Sequence, residues 1–192
     1  MLGYLPTTIK IAGQNYKIRT DYRDILRIVA AFNDDELTDS EKVYICLKQL
    51  YIDFDTIPNE HLETAYKSAM AFLDCNMKGE RRGPKLIDWK KDEPLVFPAI
   101  NKVAGFEVRS VKYMHWWTFM GYFQGIDAND TWGFILTIRQ KKAKHKKLEK
   151  HEQAFFAANP ELCLVDASVK TKENGIKDLE GIYNDLLKGG GS

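Results

Sequence analysis

The sequence predicts a mainly α fold: a helical bundle carrying a short N-terminal β-hairpin. Three observations point there. One stretch near the N-terminus alternates apolar and polar residues, the rest repeats its apolar residues at helical spacing, and glycine and proline punctuate the intervals.

In TTIKIAGQNYKIRT, Ile9 and Ile11 share one face, and Tyr16 and Ile18 continue it after a turn at Ala12, Gly13, Gln14 and Asn15. Glycine and asparagine accept the positive φ of a tight turn, so the segment reads as a hairpin that must pack on something larger. From Thr20 the period becomes helical: Tyr22, Ile25, Leu26 and Val29 form one stripe, closed by Asn33-Asp34-Asp35. A second helix opens on Thr38-Asp39-Ser40-Glu41, the spacing of a capping box, and its stripe is Val43, Cys46, Leu47, Leu50 and Tyr51. A third follows Pro58, with Leu62, Ala65, Tyr66, Ala69, Met70 and Leu73 facing inward. The stretch 76–85, NMKGERRGPK, has no period and reads as a loop. Its Arg81 and Arg82 are either a contact for phosphate or an acidic partner, or a solvated loop tip.

In DWKKDEPLVFPAINKVAG, Pro94 suits a first helical position. Pro98 should kink that helix or delay its start toward Phe97, and Gly105 should end it. MHWWTFMGYFQGI reads as a helix, GIDAND as a turn, and residues 131–162 as one long helix or two broken near His145. After Cys163 a polar stretch leads to Ile176, Leu179, Tyr183 and Leu186 at helical spacing, then a flexible Gly-Gly-Gly-Ser tail. The expected organisation is 1–75 for the hairpin and three helices, 76–91 for a basic linker, 92–162 for an aromatic- and lysine-rich part of the same domain, and 163–192 for the polar stretch, amphipathic helix and tail.

Composition excludes more than it assigns. With 28 Lys and Arg against 27 Asp and Glu, the formal charge of +1 gives no global attraction to nucleic acid. Three scattered cysteines suggest neither a disulfide framework nor a zinc site. No run approaches a membrane span and the N-terminus has no signal-peptide pattern, so a soluble protein of a reducing cytoplasm is expected, with no membrane contact. No nucleophile elbow, phosphate loop, dinucleotide fingerprint or metalloprotease motif occurs, and the four histidines do not cluster. The expectation is no enzyme: no catalytic residue, no metal site and no cofactor.

Two features stand out. Arg139, Lys141, Lys142, Lys144, Lys146, Lys147 and Lys150 form a basic run. It reads as a phosphate-binding rod, as a docking strip for an acidic or amphipathic partner helix, or as a solvated connection with Glu149 and Glu152 supplying some pairs. Nucleic acid is the weakest of these, because no aromatic residue interleaves the lysines. In the aromatic segment, Trp116, Phe119, Met120 and Phe123 share one stripe while Tyr113 and Trp117 share its neighbour, so aromatics cover more than half the circumference. One tryptophan is expected in the core; the other is a wide core contact or an exposed interface anchor.

The order and spacing of DWKKDEPLVFPAINKVAG, YMHWWTFMGYF, FILTIRQKKAKHKKLEK and HEQAFFAANPEL resemble the bacteriophage family named for gene product fifteen, small proteins of tail-morphogenesis clusters. The resemblance implies a gene placed between those for the tail-tube and tape-measure proteins, the slot of tail-assembly chaperones in other long-tailed phages. It implies a protein that binds the tape-measure chain, with the tail-tube protein and a second copy of itself as further expected partners, either leaving before the virion is complete or staying as a structural or tail-completion component. Under that expectation the partner-binding residues are Trp116, Trp117, Arg139, Lys142, Lys146 and Lys147. A nucleic-acid accessory protein using the helix 139–150 is the third alternative.

Overall fold

A computed structural model describes residues 3–77 and 86–164 of the chain. The expectations for Arg81 and Arg82, and for the amphipathic helix and tail after residue 164, lie outside the described residues. The fold is mainly α with an N-terminal hairpin, as the sequence predicts. Strands β1 (Thr8–Ile11) and β2 (Gln14–Lys17) precede eight described helices: α1 (Tyr22–Phe32), α2 (Asp39–Leu50), α3 (Leu62–Leu73), α4 (Glu93–Ala104), α5 (Trp116–Gln124), α6 (Thr131–Ala143), α7 (Lys150–Ala158) and α8 (Pro160–Cys163). They fall into two compact units. The first holds residues up to 77 together with 113–120, and the second holds 86–112 together with 121–164.

In the first unit the hairpin turns on two residues, Ala12 at φ 47° and Gly13 at φ 92°. Positive φ at both central positions gives the twist a two-residue hairpin needs. Asn15, expected in the turn, is already in β2 and faces Lys10. Ile11, Tyr16 and Ile18 are buried, and the hairpin is bound to the end of α2 by Ile52 N–H to Lys17 O and Arg19 N–H to Leu50 O. The Arg19 guanidinium donates to the carbonyls of Lys48, Gln49 and Tyr51, which α2 leaves without intrahelical partners. Helix α2 opens on the expected capping box of Thr38 and Glu41, and Val43, Cys46, Leu47, Leu50 and Tyr51 are all buried. Burial pushes the Cys46 thiol up to about 12, which makes it an inert core group. The Tyr51 hydroxyl donates to Ala65 O, joining α2 to α3.

In the second unit α4 starts at Glu93, not near Phe97, and runs through Pro98 to a left-handed Gly105 at φ 78°. The delay expected from Pro98 does not occur. The acceptor that its missing N–H would have used belongs to Pro94, in the first turn, so one bond is lost and the exposed ring faces solvent. Helix α6 packs on α4 and α8. The helical pattern after 131 does break near His145, which takes φ 52°. Ile138, Leu148 and Cys163 form a small core with Phe134, Phe155 and Phe156 against it. None of the described helices is long and apolar enough to cross a membrane.

Candidate functional site

The tandem tryptophans do a structural job. Helix α3 ends at Leu73, and its last carbonyls need donors from outside the helix. Asp74 N–H takes Met70 O, Asn76 N–H takes Ala71 O and Cys75 N–H takes Phe72 O. The Trp117 indole N–H adds a second bond to Phe72 O at 2.9 Å, and the Trp116 indole N–H reaches Leu73 O at 2.9 Å. Successive residues of a helix diverge by about 100°. Two successive donors in the first turn of α5 therefore match two successive acceptors at the end of α3. Trp116 is 3% exposed and Trp117 is half-buried, stacked on Phe72. Both indole donors are committed inside the protein.

His115 fixes the entry to α5. Its Nδ1 accepts from Trp117 N–H at 3.0 Å, and its Nε2 lies 3.0 Å from Pro6 O. One ring nitrogen must accept and the other must donate, so the neutral ring with its proton on Nε2 satisfies both contacts. The ring is 3% exposed, and burial lowers its proton affinity, with the Pro6 carbonyl opposing that shift more weakly. Below it, Tyr22 and Phe119 stack at 4.4 Å and 5°.

The basic run separates into three environments. Arg139 is 3% exposed and does not belong with the surface cations. Its Nη1 and Nη2 grip the Asp92 carboxylate at 2.6 and 2.8 Å. Nη1 also donates to Leu86 O, while Nη2 and Nε both donate to Leu162 O. All five N–H donors are thereby used, and the guanidinium lies 5.2 Å from the centre of the Trp132 ring. As a partner-facing residue Arg139 is corrected: its planar fork is the internal staple joining the start of α4, α6 and α8. Asp92 consequently does not cap α4 with its side chain, since its carboxylate also accepts from Asp88 N–H.

Lys141 is the second environment. It pairs with the buried Glu152 at 2.6 Å and approaches Glu149 at 3.6 Å, and the ammonium and the Glu149 N–H hold the Glu152 carboxyl below its usual range. The third is a corner between α6 and α7 where Lys142, Lys144, Lys146, Lys147 and Lys150 are exposed. Lys142 Nζ sits 4.5 Å over the half-buried Phe156 ring. The side chains of Lys144, Lys146, Lys147 and Lys150 have no hydrogen-bond or ion-pair partner among the described residues. The chain turns this corner because α6 ends with Lys146 N–H on Lys141 O and His145 N–H on Lys142 O, with His145 left-handed.

Of the six candidate residues, then, Lys142, Lys146 and Lys147 share one exposed corner of the second unit. Trp116 and Trp117 belong to the first unit and Arg139 to the interior of the second. Sequence reasoning missed Asp92 and His115 as organising residues, while the pairing it gave Glu149 and Glu152 with the basic run is made through Lys141. For Arg139 a signal existed: it falls four residues after Ile135 and seven after Trp132, on their apolar stripe. Among the described residues no group of His, Cys, Asp and Glu is arranged to hold a metal ion.

No curated protein and no solved structure matches the chain. Among protein families, the one described as Bacteriophage Gp15 protein matches residues 1–159, which span both units and the cationic corner. With most of its 192 residues inside that match, this is a phage protein, and the chain belongs to the Bacteriophage Gp15 protein family.

Proposed function

We propose that the chain is a non-enzymatic tail-assembly factor that binds the tape-measure protein and keeps it soluble, in the host cytoplasm, until tube subunits polymerise around it. The observation that carries this reading is the α6–α7 corner: five exposed lysines, of which four have no partner among the described residues, beside an aromatic ring already under a cation. Cations held in high dielectric without internal partners cost the fold little and attract acidic surfaces reversibly. Reversible capture is what a factor that must release its client requires. Membership of a phage family, together with the tail-gene neighbourhood that the sequence resemblance implies, supports the tape-measure protein as the client.

The test is co-expression with the tape-measure protein of the same phage. A rise in soluble tape-measure yield and co-purification of the pair support the reading. Failure of both, with the chain present in purified tails, replaces it with a retained structural component. The lysines also favour a nucleic-acid reading, which predicts affinity for duplex DNA that falls steeply with salt.

A further inference from the structure

Strand β1 is a sheet edge to which no further strand pairs among the described residues, with α3 packed beside it. Its register is Thr8↔Lys17, Ile9↔Tyr16, Lys10↔Asn15 and Ile11↔Gln14, and Ile18 N–H donates to Thr7 O at 3.0 Å. Bonded and non-bonded pairs alternate in an antiparallel ladder. Thr7, Ile9 and Ile11 therefore direct their backbone groups to β2, while the N–H and C=O of Thr8 and Lys10 point outward. The outer edge of β2 is occupied, because Lys17 O accepts from Ile52 N–H and Ile18 bridges Tyr51. The outer edge of β1 has no such neighbour among the described residues, and Thr8 and Lys10 are exposed. Against the same strand lies a groove of about 260 Å³, walled by Pro6, Ile9, Ala71 and Phe72, with Thr8 and Ser68 at its polar margin. Tyr4 and Leu5, 75% and 47% exposed, lead into the strand.

We propose that this edge docks an extended segment of a partner protein by strand addition, with an apolar side chain in the groove and a carboxylate facing Lys10. Alternating outward N–H and C=O groups are met by a strand, whose own groups alternate at the same spacing, and not by a helix, whose groups are already paired. Lys10 decides between a partner and a second copy. Pairing two β1 edges through both outward residues sets each Lys10 diagonal to the other, and a shift of one pair sets them face to face. Like charges so placed are destabilising, whereas a carboxylate there is attracted. One lysine on an otherwise open edge screens out self-pairing and leaves the edge available to an acidic strand.

The experiment selects binders to the full chain from a library of short random peptides, then follows amide exchange at Thr8 and Lys10. Affinity is compared for the native chain and Lys10→Pro. Proline at position 10 removes an outward N–H together with the Lys10 ammonium while the hairpin keeps its own bonds, and Lys10→Ala, which removes the ammonium alone, separates the two losses. A selected peptide N-methylated at alternate amides makes the same deletion from the other side, which serves if the variant does not fold. We expect selected peptides to alternate apolar residues around a carboxylate and to slow exchange at both amides. They should lose at least about tenfold in affinity to either deletion. The proposal is overturned if no peptide is selected, if binding survives both deletions, or if the chain instead self-associates in a way Lys10→Pro abolishes.

Discussion

His115 is held by two hydrogen bonds that only its neutral form makes together, one accepted from Trp117 N–H and one donated to Pro6 O. Protonation turns Nδ1 from acceptor into donor and breaks the first. Burial depresses the folded-state proton affinity below that of the unfolded chain, so the folded state binds fewer protons as pH falls through about 6.5. The contribution is thus fully present above about pH 6.5 and is lost as pH falls toward and through the lowered value. Thermal melts between about pH 7.5 and about pH 5 should show stability falling on acidification, and His115→Asn should flatten that slope; an unchanged slope removes His115 as its source. Arg139 makes the opposite kind of site, charged and fully satisfied. Arg139→Lys leaves three donors to serve five bonds and Asp92→Ala leaves a buried cation unpaired. Each should cost about 3–5 kcal/mol by denaturant unfolding, and a loss below about 1 kcal/mol would show the staple is dispensable. These two residues also mark how far a sequence reads. Arg139's place on an apolar stripe is periodic and local, so the signal was there, although the lysines around it put Arg139 with the surface cations. Its partner Asp92 is 47 residues away, and the carbonyl under His115 is 109 residues away, distances over which one chain carries no pairing signal.

At the scale of elements, two helices end with non-glycine residues in the left-handed region, Cys75 at φ 55° after α3 and His145 at φ 52° after α6. In both, the two N–H groups beyond the cap bond back into the last turn, so the turn is chosen by its hydrogen bonds rather than by a glycine. Side chains resist that conformation by about 1–2 kcal/mol, while glycine gives back roughly 0.4–1 kcal/mol through the unfolded state. His145→Gly should therefore stabilise by about 0.5–1 kcal/mol without moving the corner; destabilisation would mean the imidazole has a structural role there. Gly133 predicts the reverse sign. A Cβ at that position would lie 2.1 Å from Asp127 O, a backbone atom of the turn that α6 presses against. Gly133→Ala should cost about 1–3 kcal/mol even though alanine is the better helix former, because overpacking outweighs propensity. The helices themselves, the capping box at Thr38 and the break near His145 were legible, since each is written in spacing over a few residues. The start of α4 was not. A proline's cost depends on which carbonyl loses its donor, and for Pro98 that carbonyl lies in the first turn.

Across the whole molecule, a formal charge of +1 hides an uneven distribution, because the second unit concentrates exposed lysines at one corner while the remaining charges are largely balanced. Charges of one kind hold the fold and charges of the other kind are free to meet a partner, and substitution separates them. Reversing Lys142, Lys146 and Lys147 to Glu touches no internal ion pair, so Lys146 and Lys147 should each change stability by less than about 0.5 kcal/mol, and Lys142, which leaves the Phe156 ring, by about 0.5–1 kcal/mol. Lys141→Glu sets a second carboxylate against the buried Glu152 and should destabilise measurably. In pull-downs of tape-measure fragments, the triple reversal should lose capture while its melting curve stays cooperative. Capture that persists would take the client surface away from this corner. Salt then discriminates what the corner is for. Protein capture through a few rim cations weakens modestly as salt rises through one Debye length of screening. Duplex binding through the same lysines would lose affinity in proportion to the counterions released, with a logarithmic slope of about −0.9 for each phosphate neutralised. Weak salt dependence with loss of capture in the triple reversal places the lysines in a protein interface; a steep slope with capture intact assigns them to nucleic acid.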